Sequence, residues 1–404
     1  MATTPPIAQG LSALGTVAGE WSALRVALVH DWLTGMRGGE RCLEVFCELF
    51  PKAPLYTLLH VPGSVSPVIE RRRIVTSFVQ RLPGAATRYR HYLPLFPAAI
   101  RSFDLESYDL VLSLSHCVAK GARAARGALH LSYCFTPMRY VWDLYDDYFG
   151  ARAPWVARLA MPPVAAALRR WDRRTDNVHG FAAISRHIAE RMRRVWNRDA
   201  EVIHPPVDLD RFAIAPDAGG AGDYYLVVSA LVPYKRVDLA VEAANRLGRR
   251  LIVVGTGPEE RRLRALAGRT VEFLGWRPDP EVAALYARCR AVLFPAVEDY
   301  GIVPLEAAAA GRPTLALGRG GALETMVGLD AAGAGGEPPT AVFFAEQTVE
   351  AVVDTIRRFE AAQARFHPAA LRARAARFDV KHFRQRVVEW IDAQWRELHT
   401  RRAC

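Results

Sequence analysis

The sequence predicts an α/β protein of two doubly wound, parallel-sheet domains facing a central cleft. Three observations predict it. Short apolar runs alternate with stretches of helical periodicity along most of the chain, the pattern of repeated strand and helix units. A stretch rich in Pro, Gly, Ala and Asp interrupts that rhythm near the middle. The length of 404 residues suits two or three domains of the roughly 150 residues typical of one.

Residues 1–23 read as a loose tail. Met1–Trp21 has neither the basic start nor the compact apolar run of a signal peptide, which predicts a cytoplasmic protein. The N-terminal domain, 24–205, opens with the strand Arg25–Val29, and helical periodicity follows over Glu40–Leu49. Leu110–Leu114 and Leu129–Cys134 are the next strands and His187–Val195 the next helix. His204-Pro205-Pro206 leads into a linker, residues 206–222. The C-terminal domain, 223–380, repeats the rhythm more clearly. Its strands are Tyr225–Ser229, Leu251–Val254, Val271–Leu274, Ala291–Phe294 and Thr314–Leu317, and its helices Val237–Leu247, Glu259–Ala267, Glu281–Cys289 and Pro304–Ala310. The final helix, near Val380–Leu398, spaces Phe383, Val387, Trp390, Ile391, Trp395 and Leu398 three and four residues apart. Residues 381–404 should therefore pack an apolar face back onto the N-terminal domain.

Composition narrows the class. With 51% hydrophobic and 24% charged residues the chain is globular, not disordered. Arg or Pro breaks every apolar stretch short of the roughly 18 residues that span a membrane, as in Ala151–Trp171. Cys42, Cys47, Cys117, Cys134, Cys289 and Cys404 include no Cys-x-x-Cys pair and no His at zinc-finger spacing, which argues against a disulfide scaffold or structural zinc. Net charge is +11; through Pro205, 26 basic face 17 acidic residues, against 27 and 25 beyond it. The positive field of the first half suits an anionic membrane surface or a phosphorylated substrate. No helix-turn-helix, RNP-like or finger motif accompanies it, so nucleic acid is not an expected partner.

The most informative stretch runs from Pro295 to Glu306, after a strand. Gly301 allows close backbone approach to a ligand, and Pro304 suits a first helical turn that places Glu306 two residues inside the helix. A carboxylate there can hold paired hydroxyls beside the anion site of a helix N-terminus; equally, Glu306 can complement the helix dipole and Glu298 can be a solvated loop carboxylate. Lys235 and Arg236 lie in Ser229–Asp238, at the end of the first strand of the second domain. The chain holds only four lysines among 53 basic residues, so a Lys retained here is informative about a phosphate site. In the first domain a strand runs into His30-Asp31 and then Gly38-Gly39 before a helix, the layout that presents backbone N–H groups to phosphate, or a simple tight turn. Neither this turn nor Gly255-Thr-Gly257-Pro258 completes Gly-x-Gly-x-x-Gly, which disfavours a nicotinamide dehydrogenase.

On Glu298-Asp-Tyr-Gly301-Ile302-Val303-Pro-Leu-Glu306 the chain resembles the retaining glycosyltransferases of family four, over roughly Leu24–Trp395. That family has the GT-B architecture of two Rossmann-like domains. The resemblance implies that Glu298 contacts the donor sugar and Glu306 the nucleotide ribose, with Gly301, Ile302 and Val303 also at the donor. It implies that Lys235 holds the donor diphosphate with Gly38 and Gly39 nearby. Ala230 stands where the family usually has Arg, so Arg236 or a group of the first domain is left to supply a second charge. Ser113–Gly121 and Ser132–Tyr140 resemble a bacterial cell-surface polysaccharide branch of mannosyltransferases, with Phe135 where that branch usually has His. His116 is then a candidate for sugar or acceptor contact. Arg139 is a candidate for an anionic acceptor such as a lipid-linked diphosphate, or a partner of Asp143 at i+4. Ser185 reads as a helix cap.

The expected activity is transfer of a hexose, best matched by mannose from GDP-mannose, from a nucleotide diphosphate sugar to a glycan or lipid-linked acceptor, with retention. Glu298 and Lys235 are the expected catalytic residues. No cofactor and no metal are expected, because cationic side chains and helix N-termini replace a metal in GT-B enzymes; Asp208-Leu-Asp210, which mimics a metal-binding Asp-x-Asp, lies in the linker. An epimerase or hydrolase of the same architecture, or a non-catalytic nucleotide-binding protein, are the alternatives. Ala151–Asp172 is a candidate contact with the inner face of the cytoplasmic membrane, although Pro162-Pro163 predicts a break in any single amphipathic helix there.

Overall fold

The computed structural model describes residues 23–150, 155–214, 222–331 and 336–403. The tail up to residue 22, the start of the 151–172 segment, residues 215–221 of the linker and Cys404 lie outside them. The chain divides into two compact units, Met1–Pro205 with Lys381–Cys404, and Pro206–Val380.

The first unit is built on seven parallel strands: β1 (Val26–His30), β2 (Leu55–Thr57), β3 (Ile74–Thr76), β4 (Leu110–Ser115), β5 (Leu129–Cys134), β6 (Gly180–Ala183) and β7 (Glu201–Val202). Their order is β3-β2-β1-β4-β5-β6-β7, so the chain winds outward from β1 one way, returns, and winds outward from β4 the other way. Leu28 pairs with Leu112 and Leu112 with Leu131, setting the central register. β1, β4 and β5 are buried at every position, as strands covered by helices on both faces must be. Helix α1 (Gly38–Leu49) buries Cys42, Leu43, Val45, Phe46 and Cys47. Helix α2 (Phe96–Arg101) and helix α3 (Trp155–Asp172) join one core through Phe96, Ile100, Ala165 and Leu168. Helix α4 (Arg186–Trp196) is capped by Ser185, whose Oγ accepts from Ile188 N at 3.1 Å.

The second unit has six parallel strands: β8 (Tyr224–Val228), β9 (Arg250–Val254), β10 (Val271–Gly275), β11 (Ala291–Phe294), β12 (Thr314–Leu317) and β13 (Ala341–Phe344), in the order β10-β9-β8-β11-β12-β13. Helices α5 (Val237–Leu247), α6 (Asp279–Arg288), α7 (Ile302–Ala309) and α8 (Val349–Ala362) connect them. Helix α9 (Val380–Ala403) follows and belongs to the first unit, where Phe383 meets the rings of Tyr133 at 5.7 Å and Phe46 at 6.2 Å. In each sheet the order reverses between the first strand and a later neighbour, β1/β4 and β8/β11, and it is beside such a point, at the carboxyl ends, that doubly wound sheets bind ligands.

Three expectations are corrected. The prolines do not break α3, which continues through Pro162 and Pro163 as one helix. The carbonyls of Arg158 and Leu159, freed by the missing proline N–H groups, lie in a turn whose residues are exposed, where water replaces the lost partners. Helix α7 starts at Ile302, not Pro304, because Gly301 turns the chain in the left-handed region at φ +89°. Pro304 is therefore the third helical residue, still among the first four N–H positions that lack an intrahelical partner, and Glu306 lies in the second turn. Strands β2, β3, β6 and β13 were not anticipated: each has three or four residues, too few for periodicity to tell strand from helix.

Candidate functional site

Chemistry-bearing residues gather at the carboxyl ends of the central strands in both units. In the second unit, the chain leaves β8 through Ser229-Ala230 and makes a short 3-10 turn over Pro233–Lys235 before α5. Lys235 thus stands beyond the strand end, where its Nζ is in direct contact with Glu298 Oε1 from the loop after β11. Both side chains are mostly buried. The structure therefore joins the two residues read as catalytic, 63 positions apart in the chain. Arg236 adopts φ +51°, and its Nε lies 3.2 Å from Asp238 Oδ1, so its charge is committed to a neighbouring carboxylate.

A backbone contact that the sequence reading missed fixes the Glu298 loop. Glu298 forms an isolated parallel bridge with Gly320, and Gly321 N donates to Glu298 O at 2.9 Å. A Cβ on Gly320 would lie 2.4 Å from Glu298 O, and one on Gly321 would lie 2.3 Å from Tyr300 Cα, so only glycine fits at this approach. The run Gly318-Arg-Gly-Gly321 was the available signal. Gly301 then caps α7, and Ile302 and Val303, half-buried, begin a helix of high local positive potential. One turn on, Glu306 Oε2 accepts from the hydroxyl of buried Tyr286 at 2.9 Å, which fixes the carboxylate's direction. Burial, with the Glu306 charge, pushes the Tyr286 phenol well above its ordinary range, so it stays a donor.

In the first unit, Gly38 and Gly39 are the first residues of α1. Open space surrounds the Gly38 Cβ position, and a Cβ on Gly39 would touch the Phe135 ring at 3.5 Å. Glu40 Oε2 accepts from Arg37 N at 3.0 Å, and its Oε1 lies 3.5 Å from His30 Nε2. Burial works to raise the Glu40 carboxyl, but the hydrogen bond and charge of His30 outweigh it and hold the group low.

The centre of this half is Asp31, fully buried after β1. Its Oδ2 accepts from the backbone of His116 at 2.6 Å and Cys117 at 2.9 Å, and its Oδ1 from Val118 at 2.6 Å and Ala119 at 2.8 Å. The His116 ring packs edge-on against Trp32 at 4.3 Å, with Nδ1 3.2 Å from Asp31 Oδ2. Burial pushes His116 down to about 4 despite the Asp31 charge, so the imidazole is neutral at pH 7. Asp31 and Glu40 were not singled out from the sequence; their partners come from separate strand ends. Phe135 packs edge-on to His30 at 6.3 Å. Arg139 is near enough for its charge to lower His116, while Asp143 is engaged by Arg191 at 2.7 Å and Arg194 at 3.4 Å.

The loop that begins at His116 is also held at its far end. Lys120, fully buried, donates from Nζ to Asp172 O at 2.7 Å and stands 3.4 Å from Asp172 Oδ1, between the rings of Trp196 at 4.6 Å and Trp171 at 5.0 Å. Asp172 Oδ2 accepts from the indoles of Trp142 and Trp196, both at 2.8 Å. The scarcity of lysine thus marks a buried ion pair here as well as the Lys235 position. Asp208 caps a short turn, accepting from Asp210 N at 3.1 Å.

Residues 217–377 match the family described as Glycosyl transferases group 1. The GDP-mannose-dependent alpha-(1-6)-phosphatidylinositol monomannoside mannosyltransferase of Mycolicibacterium smegmatis is 36% identical over 198 residues, 42% of this chain and 51% of that protein. The O-antigen chain mannosyltransferase C of Escherichia coli is 33% identical over 100 residues, 23% of this chain and 27% of that one. The chain spans about half the length of the first curated relatives it matches. Among solved structures, sucrose-phosphate synthase of Thermosynechococcus elongatus aligns with a TM-score of 0.67 at 18% identity, covering 93% of this chain and 99% of that one. WaaG, a glycosyltransferase involved in lipopolysaccharide biosynthesis, aligns at 0.62 and 17% identity, covering 91% and 99%. The resemblance to group 1 glycosyltransferases and their mannosyltransferase-like branch holds, and the fold is GT-B.

Proposed function

We infer that this chain, which carries a Glycosyl transferases group 1 domain at residues 217–377 in a GT-B fold, transfers mannose from GDP-mannose to a hydroxyl of a glycan or lipid-linked acceptor in bacterial cell-surface polysaccharide synthesis, with retention at the anomeric carbon. The observation that carries this reading is the Lys235–Glu298 pair beside the N-terminus of α7. A cation in contact with a carboxylate lets a diphosphate oxygen and a sugar hydroxyl be met side by side. The names of the curated mannosyltransferase relatives support the donor.

In this reading Lys235 Nζ and the first-turn amides at Gly38 and Gly39 stabilise the charge that develops on the departing diphosphate, in place of a metal. Glu298 orients the sugar, the amides at Gly301, Ile302 and Val303 lie at the donor, and Glu306, directed by Tyr286, accepts from the ribose hydroxyls. That assignment leaves no second carboxylate as a nucleophile. The acceptor therefore attacks from the face the diphosphate leaves, and a phosphate oxygen takes its proton. His116 contacts a sugar or acceptor hydroxyl, and Arg139 meets an anionic acceptor. Arg236, tied to Asp238, needs to exchange partners before it can add a second charge at the diphosphate.

Thermal stabilisation by GDP, UDP, ADP and their sugars, in wild type, Lys235→Ala and Glu306→Ala, tests the site. Selective stabilisation by GDP-mannose, lost in both variants, is expected. Stabilisation by another nucleotide would reassign the donor, and none by any would overturn the reading. A trapped covalent glycosyl-enzyme would contradict same-face attack.

A further inference from the structure

We propose that Arg319, on the loop after β12, binds the sugar-side phosphate of the donor diphosphate and so supplies the positive charge that the Lys235–Glu298 pair lacks. The proposal rests on the nucleotide-sugar reading of this site and adds a residue to it. The loops and turns that follow the strands of the second unit carry four cations among the described residues: Lys235 and Arg236 after β8, Arg277 after β10 and Arg319 after β12. Three of them already have a carboxylate. Lys235 meets Glu298, Arg236 Nε lies 3.2 Å from Asp238 Oδ1, and Arg277 Nε lies 3.4 Å from Glu281 Oε2. Arg319 is exposed, and among the described residues no carboxylate, carbonyl or aromatic ring engages its guanidinium.

Charge balance and position point to the same ligand. The side chains assigned to the donor, Lys235, Glu298 and Glu306, bring one positive and two negative charges, and a diphosphate adds further negative charge. The start of α7 offsets only about half a charge. Turning Arg319 to an anion breaks no ion pair, whereas Arg236 has first to give up Asp238. Arg319 adjoins Gly320, which pairs with Glu298 as in a parallel ladder, so the two backbones run about 4.8 Å apart. Gly318 N donates to Phe344 O at 2.8 Å and Gly321 N to Glu298 O at 2.9 Å, which fastens the loop on both sides of Arg319. A fixed backbone beneath an uncommitted side chain limits the cost of ordering on binding to that one side chain. With Glu298 read at the sugar and Glu306 at the ribose, a group beside Glu298 stands on the sugar side of the diphosphate, where charge develops as the bond to the sugar breaks. A guanidinium can meet two phosphate oxygens there at once, which an ammonium cannot.

The test is isothermal titration calorimetry of the full chain with the pairs GDP and GMP, UDP and UMP, and ADP and AMP, at one salt concentration. Each pair differs only in the phosphate that Arg319 is proposed to meet. For the diphosphate that wild type binds, Arg319→Gln should weaken binding about 10–100-fold, leave the matching monophosphate within about twofold, and melt as wild type does. Arg319→Lys keeps the charge without the fork and should recover part of the loss. Arg269→Gln removes an exposed cation just before β10, at the opposite end of the sheet, and should bind both nucleotides as wild type does. The proposal is overturned if Arg319→Gln binds the diphosphate as tightly as wild type, if it loses the monophosphate to the same degree, or if Arg269→Gln is equally impaired. It is also overturned if Arg236→Gln, and not Arg319→Gln, removes the preference for diphosphate over monophosphate. Wild type that binds none of the six nucleotides would overturn the nucleotide-sugar reading itself, whereas tight wild-type binding that Arg319→Gln leaves intact overturns the role of Arg319 alone.

Discussion

The two polar centres are held in opposite ways. Asp31 has both oxygens committed, to four backbone amides and the His116 ring, in a place without solvent. The Lys235 and Glu298 side chains meet each other in a single ion pair, with the ammonium also 5.4 Å from the centre of the Tyr234 ring. The first arrangement fixes geometry before any ligand arrives; the second can exchange its partner for a ligand at small cost. Damage at Asp31 should therefore appear as lost stability, and damage at Lys235 as lost activity.

The largest effect is expected for Asp31→Ala. It strands four buried amides, each worth about 1–3 kcal/mol when left unpaired, so chemical denaturation should show a loss of at least about 4 kcal/mol. A loss under about 1 kcal/mol would erase the contrast. Lys235→Ala leaves the mostly buried Glu298 carboxylate without its counter-ion and should cost about 1–3 kcal/mol, less than Asp31→Ala, while lowering the transfer rate by about 10²–10³-fold, the effect of removing one donor from a developing anion. If Lys235→Ala instead destabilises the fold strongly while residual transfer persists, the pair is structural.

Acidification sharpens the comparison, because the first unit also holds its histidines neutral. His116 and His130 are both pushed down by burial, to about 4, from an ordinary 6.5. Between those values the unfolded chain binds more protons, so the histidines' contribution to stability should fall as pH drops from about 6.5 to about 4 and be fully lost there, while carboxylates held low, such as Glu40, continue the loss at lower pH. Each histidine accounts for up to about 3 kcal/mol. His116→Gln should remove about half of the dependence, measured as melting temperature against pH. Next, Gly320→Ala places a Cβ against Glu298 O at φ +73° and should cost at least about 1–2 kcal/mol from the left-handed backbone alone. It should impair transfer more than it impairs folding. The smallest change belongs to Gly38→Ala, where the Cβ meets open space: stability should shift by under about 1 kcal/mol. Reduced affinity for donor in that variant would show that the α1 amides need close approach.

The same contrast explains what could be read from the sequence. Glu298 through Glu306 lie on one loop and the helix it enters, a run short enough for a family resemblance to be read from it, and Lys235 lies in the turn that follows β8. Asp31 finds its amide partners 85 to 88 residues away, and no local pattern records that distance. The role of Gly320 and Gly321 likewise depends on a neighbouring strand's loop. Strands β8 to β12 were legible from their apolar runs, whereas β2 and β3, three residues each, carry too little pattern to register. At Pro162 and Pro163 a local rule misled, because an exposed turn tolerates missing backbone bonds that a buried one would not.

Lys120 and Asp31 also bear on rigidity. Residues 116–120 form a strap fastened at one end by the Asp31 carboxylate and at the other by Asp172, the last residue of α3. With its amides tied to the end of β1 and its lysine tied to the end of α3, the strap clasps strand to helix, and the His116 ring keeps its place only while both fastenings hold.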